Sequence, residues 1–99
     1  MVIKKIQTGS ETILELQGRL NTTTAPLLEE EMGAIGTKWV LITLDLAAVD
    51  YVSSAGIRVI LSAHKKLASS SRRLVLKNTG EGVMEVFSIT GLSNVLNIE

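Results

Sequence analysis

In this 99-residue chain the groups whose types suggest chemistry are one histidine, His64, two aspartates, Asp45 and Asp50, and the adjacent hydroxyls of Ser53 and Ser54. Ser54 and His64 are the tempting nucleophile and base, but both fall on one expected helix ten residues apart. A rise of 1.5 Å per residue separates them by ~15 Å, whereas a nucleophile and its base must lie within ~3 Å. They form no dyad. His64 lies on an inward helical stripe, where a core-edge histidine with a backbone partner is the expectation. Isolated carboxylates with a single histidine and no cysteine supply no ligand set of recognisable metal spacing. The glycines at 33 and 36, or 80 and 82, do not complete the G-x-x-x-x-G-K-[ST] of a phosphate loop. A phosphoacceptor receiver domain would begin β-α with an acidic pair after its first strand, and this chain begins with a hairpin.

Composition narrows the function further. Ten Lys plus Arg balance ten Asp plus Glu, and aromatic residues make up 3%. A nucleic-acid binder needs a basic footprint and usually stacking platforms, so DNA and RNA are not expected partners. The longest apolar runs are four or five residues, far short of the ~20 that span a bilayer. The start Met1-Val2-Ile3-Lys4-Lys5 lacks the apolar stretch of a secretory signal. The expectation is a cytoplasmic chain without a leader or membrane span. It should be a single domain over residues 1–99, monomeric by default, and able to bury a core without disulfides.

The hydrophobic periods indicate the elements that must position these groups. Val2 to Gln7 alternates weakly, Thr8-Gly9-Ser10-Glu11 supplies a turn, and Leu14, Leu16 and Leu20 then alternate with Glu15, Gln17 and Arg19. That pattern predicts an antiparallel hairpin. The threonines 22–24 before Pro26 predict a helix start capped by a hydroxyl, and Ala25, Leu28, Met32 and Ile35 form its inward stripe. Trp39 to Leu46 is nearly continuous in apolar residues, as in a central strand covered on both faces.

A helix of about four turns follows from Ser53, with Ile57, Ile60, Leu61, His64 and Ala68 inward and Arg58, Ser62, Lys65 and Lys66 on the wet side. Leu74-Val75-Leu76 reads as a buried strand and Gly82 to Thr90 as a third helix, closed by a left-handed Gly91 with Leu92 behind it. Asn94 to Ile98 reads as the last strand. The order β-β-α-β-α-β-α-β predicts an α/β domain, a mixed β-sheet covered by helices.

The informative segment runs from Asp45 to Ile57, where a buried strand passes through a short loop into a helix that begins at two serines. Two readings fit it. In the first, Ser53 is an N-cap, Ser54 and Ala55 merely tolerate the first turn, and Gly56 permits close packing. In the second, an exposed hydroxyl at a helix N-terminus is where a phosphate is added at least cost, since free N–H groups and the helix dipole favour an anion there. A phosphoryl group of about −1.5 to −2 charge would then leave the fold intact and act on a partner.

The run VDYVSSAGIRVILSAHKKL resembles the signature of STAS domains, the anti-sigma factor antagonist fold, in which an acid-Ser-Ser-Gly-Leu or Ser-Ser-Ala-Gly-Leu stretch opens the second helix. GRLNTTTAP resembles that family's Gly-Arg-Leu-Asp segment and the helix start after it, and FSITGLSNVLNI resembles its closing helix, Thr-Gly-Leu turn and last strand. The three segments occur in the family's order and spacing and cover the whole chain.

The resemblance implies a protein that is not itself an enzyme and needs no cofactor. It implies binding to an anti-sigma factor with serine kinase activity, release on phosphorylation of a serine at the second helix start, and resetting by a serine phosphatase. Aligned on Gly56, the phosphoacceptor falls on Ser54, with Ser53 as fallback. The partner surface falls on Asn21, Thr22, Thr23 and Thr24 together with Ser53, Ala55 and Gly56, with Arg58, Ser62 and Lys65 at its rim. Asn21 stands where the family often has aspartate and Ser53 where many members carry an acid, so a phosphate here would meet less repulsion. The alternative is a constitutive STAS scaffold or small-ligand sensor with no phosphorylation cycle.

Overall fold

The computed structural model describes residues 1–99. Strands β1 (Val2–Thr8) and β2 (Glu11–Leu20) pair antiparallel as the expected hairpin, with Ile6 opposite Ile13. Helix α1 (Ala25–Ala34), strand β3 (Leu41–Val52), helix α2 (Ser54–Ser69), strand β4 (Arg73–Lys77), helix α3 (Glu81–Ile89) and the two-residue strand β5 (Asn97–Ile98) complete the chain. The five strands lie in the order of the chain, β1-β2-β3-β4-β5, and every pairing after the hairpin is parallel. The sheet is mixed and the fold α/β, as the element order predicts.

That topology settles where the helices lie. Parallel neighbours need crossover connections, and crossovers are right-handed almost without exception. Three steps taken in the same direction across the sheet therefore put α1, α2 and α3 on one face. The core agrees: Leu14, Leu16, Ile42, Leu44, Leu46, Leu74 and Leu76 from the strands share one buried cluster with Leu28, Ile60, Leu67, Val83 and Phe87 from the helices. Each such side chain contributes about 1.5–3 kcal/mol on burial.

The expectation that the third strand is covered on both faces is thus corrected. The second face is the polar side of the sheet, carrying the ion pairs Lys4–Glu15 and Lys77–Glu99 and a hydrogen bond from Thr43 Oγ1 to Glu11 Oε2 at 2.8 Å. Of the run, Ile42, Leu44 and Leu46 enter the core, whereas Leu41, Thr43 and Asp45 alternate with them on the other face, where only Thr43 is fully buried.

Two boundaries also differ from the expectation. Trp39 and Val40 precede β3, and Ala47 to Val52, read as loop, continue it. The pairing of β2 with β3 slips twice, between Glu15 and Gln17 and again between Gly18 and Arg19. Each slip adds a residue to β3, so buried positions recur at Leu46, Val49 and Val52, a spacing of three that hides a strand. Asp45 helps hold the first bulge, its Oδ1 accepting from the Ala47 amide at 3.0 Å and from Asn78 Nδ2 at 3.0 Å. The last strand shrinks from Asn94–Ile98 to Asn97–Ile98 because Leu92–Asn94 wind into a 3-10 turn. Gly91 before it is left-handed at φ 79°, as expected of the residue closing α3.

Candidate functional site

β2 and β3 end side by side, and each feeds a helix. The Ser53 amide donates to the Leu20 carbonyl at 2.8 Å, extending the parallel ladder to its last rung. Gly56, one turn into α2, lies directly on Leu20: a Cβ there would stand 2.7 Å from Leu20 Cγ and 3.0 Å from the Leu20 carbonyl oxygen. Only a residue without a Cβ permits this approach. Leu20 is fully buried, so the two helix starts are locked to one core residue.

The first start is built by Asn21. Its Oδ1 accepts from the amides of Thr23 at 3.0 Å and Thr24 at 3.1 Å, and its carbonyl accepts from the Ala25 amide at 2.8 Å. Thr24 Oγ1 accepts from the Asn21 amide at 2.8 Å and donates to the Arg19 carbonyl at 2.6 Å. The expected threonine cap is therefore corrected: α1 has no side-chain cap at Thr24, and the amide acceptor one turn earlier holds the approach. The turn uses the oxygen of Asn21 and requires no charge, so asparagine serves where aspartate would. Thr22 and Thr23 are exposed, and Thr24 is half-buried.

The second start is built by Ser53, which is extended (φ −89°, ψ 174°) and accepts from the Gly56 amide through Oγ at a long 3.4 Å. Ser53 is thus the N-cap. Ser54, the first helical residue, is exposed, and neither its hydroxyl nor its amide has a hydrogen-bond partner in the chain. Ala55 is half-buried against the core. Ser54, Arg58, Ser62 and Lys65 recur at helical spacing, and all four are exposed along one stripe of α2. The structure therefore brings the Asn21–Thr24 and Ser53–Gly56 segments together, with Gly56 facing inward as the spacer between them.

A sequence model of the STAS domain matches residues 2–99. The chain belongs to the STAS domain family. Among relatives of this STAS domain is a Bordetella bronchiseptica protein named as a candidate anti-sigma factor antagonist, BtrV, 39% identical over 84% of this chain and 72% of its own length. The anti-sigma-B factor antagonist of Listeria monocytogenes is 31% identical over 83% of this chain and 73% of its own. The structure of the Bacillus cell fate determinant SpoIIAA in its phosphorylated form superposes with a TM-score of 0.73, covering 99% of this chain and 91% of that one at 17% identity.

Two features of this STAS domain escaped sequence reasoning. Arg19 and Tyr51, paired across β2 and β3 two positions before Asn21 and Ser53, stack with the guanidinium 4.3 Å from the ring centroid. The signal was present in the strand alternation, since both precede inward residues, but only the double register slip brings them level. His64 is half-buried as expected, yet its ring has no hydrogen-bond partner in the chain, so the expected backbone partner is absent. No helix is long and apolar enough to cross a membrane.

Proposed function

We propose that this chain is an anti-sigma factor antagonist of the cytoplasm, that it docks on an anti-sigma factor with serine kinase activity, and that phosphorylation of Ser54 ends the complex. The observation carrying this reading is the state of Ser54: an exposed hydroxyl with no partner, beside two leading amides of a 16-residue helix, Ser54 and Ala55, that are also unpartnered. The kinase transfers the γ-phosphoryl group of ATP to Ser54 Oγ, and the hydroxyl proton leaves to a base of the kinase. This chain is the substrate, and catalysis belongs to the partner.

The added charge of about −1.5 to −2 meets the helix dipole and, one turn on, Arg58. An anion N-terminal to a cation at i and i+4 is the favourable orientation, so the phosphorylated domain keeps its fold. The partner surface, formed by Asn21 to Thr24, Ser53 to Gly56 and the rim of Arg58, Ser62 and Lys65, loses affinity through repulsion and desolvation; ~2.7 kcal/mol makes a hundredfold change. A serine phosphatase restores the hydroxyl.

The test is incubation of the chain with its host's anti-sigma kinases and ATP, followed by mass spectrometry of wild type, Ser54→Ala and Ser53→Ala. One phosphate is expected on wild type and on Ser53→Ala, and none on Ser54→Ala. Tight complexes with no phosphate on any variant would replace the switch with a constitutive scaffold. In pull-downs, Ser54→Ala should retain the partner and Ser54→Asp should lose it.

A further inference from the structure

Between the end of α1 and the Val59–Leu67 stretch of α2 lies a cleft of about 390 Å³, which meets the proposed partner surface only at Ser62. Its apolar lining comes from Met32 and Ile35 at the end of α1, Ile42 of β3, and Val59, Ala63 and Leu67 of α2. Two cations, Lys66 and Arg72, and one carboxylate, Glu29, also line it. The chain's ion pairs are Lys4–Glu15, Lys5–Glu31 and Lys77–Glu99, so none of these three charges is paired.

Arg72 is held in place before any ligand arrives. Left-handed Ser71 (φ 60°) turns the chain out of α2, the Arg72 amide donates to the Leu67 carbonyl at 2.8 Å, and Arg72 Nε donates to the Trp39 carbonyl at 3.1 Å. These bonds fix the guanidinium and leave its two terminal nitrogens without partners in the chain. Lys66 lies in the last turn of α2, where a cation suits the helix dipole. The dipole accounts for Lys66 and not for Arg72, which stands on a loop beyond the helix.

We propose that this cleft binds a medium-chain monocarboxylate, its head on Arg72 and Lys66 and its alkyl tail on Met32, Ile35, Val59 and Leu67. A planar guanidinium with two free nitrogens matches a carboxylate in bidentate fashion. The volume lies at the small end of the ~300–1,000 Å³ usual for ligand sites. Decanoate, a flexible ten-carbon monocarboxylate, is the probe of this ligand class. Glu29 on the facing helix disfavours a dianionic head, so the site selects a carboxylate over a phosphate monoester of equal tail length.

This site does not depend on the switch reading, and its test involves no kinase. Met1, Met32 and Met84 are the chain's methionines, and of them Met32 alone lines the cleft. With the methionine methyls labelled with carbon-13, decanoate titrated below its micelle concentration should shift the Met32 signal saturably while Met1 and Met84 stay still. Emission of Trp39, the sole tryptophan, should change in step, since its carbonyl shares Arg72. Decanol and decyl phosphate should bind at least about tenfold more weakly than decanoate, and Lys66→Gln or Arg72→Gln should each weaken decanoate by about tenfold, the scale of one charged hydrogen bond. Lys66 is exposed, so its variant tests the head-group contact without risk to folding. Absence of a saturable Met32 shift, equal shifts of all three methionines, decyl phosphate binding as tightly as decanoate, or decanoate affinity unchanged in both variants would each overturn the proposal.

Discussion

α1 and α2 begin side by side at the ends of neighbouring parallel strands, and they treat their leading amides in opposite ways. At α1 the amides of Thr23, Thr24, Ala25, Leu27 and Leu28 all have acceptors, and Pro26 has no amide to satisfy. At α2 the amides of Ser54 and Ala55 have none, and that of Gly56 has only the 3.4 Å contact to Ser53 Oγ. A helix start whose donors are used is closed to an anion; one whose donors point at solvent remains open to it. The closed start gives the surface a fixed shape, and the open start gives it a place where charge can change.

The largest perturbation of this pair is at the spacer between them. Gly56→Val forces a side chain into Leu20 and should cost about 3 kcal/mol, the upper range for overpacking, read as a lower urea midpoint at unchanged slope. Next comes the closed start. Asn21→Ala removes the acceptor for two amides and should cost about 1–2 kcal/mol, at the high end for a lost cap.

Ser53→Ala removes one long hydrogen bond and should cost only about 0.5 kcal/mol, the low end of the same range. If Ser53→Ala proves as costly as Asn21→Ala, the contrast between the two starts is wrong. Smallest is Ser54→Ala, expected within about 0.5 kcal/mol of wild type because the hydroxyl has no partner to lose. Asn21→Asp sharpens the contrast from the other side: it keeps the acceptor and adds a favourable charge at a helix start, so stability should rise by about 0.3–1 kcal/mol in low salt.

The hairpin, the three helices and most core residues were legible because their periods are clean: Leu14, Leu16 and Leu20 alternate, and Ala25, Leu28, Met32 and Ile35 keep helical spacing. Ala47 to Val52 was not, because two bulges convert a strand's period of two into a spacing of three. The one-sided layering was not legible from Trp39 to Leu46, since an apolar run says nothing of the direction in which successive crossovers step. Topology decides that. The serine pair was visible as a helix start, and the reading of Ser53 as its N-cap is the one the structure has. Asn21 was legible only as a departure from aspartate, because its work depends on a side-chain acceptor meeting two amides in a turn whose geometry no spacing encodes. The Arg19–Tyr51 stack required the register, which a sequence does not carry.

The last rung of the β2–β3 ladder, Ser53 amide to Leu20 carbonyl, has a kinetic meaning. It pins the residue before Ser54 to a fully buried neighbour, so a partner meets a surface that is already assembled, and association needs no local folding step. In the proposed switch, a phosphate on Ser54 should shorten the life of the complex and leave the rate of encounter to charge alone. The Ser53 amide is the reporter: its exchange with deuterium should stay slow in both states of Ser54, and the switch should be visible as a faster release of the partner from an unaltered platform.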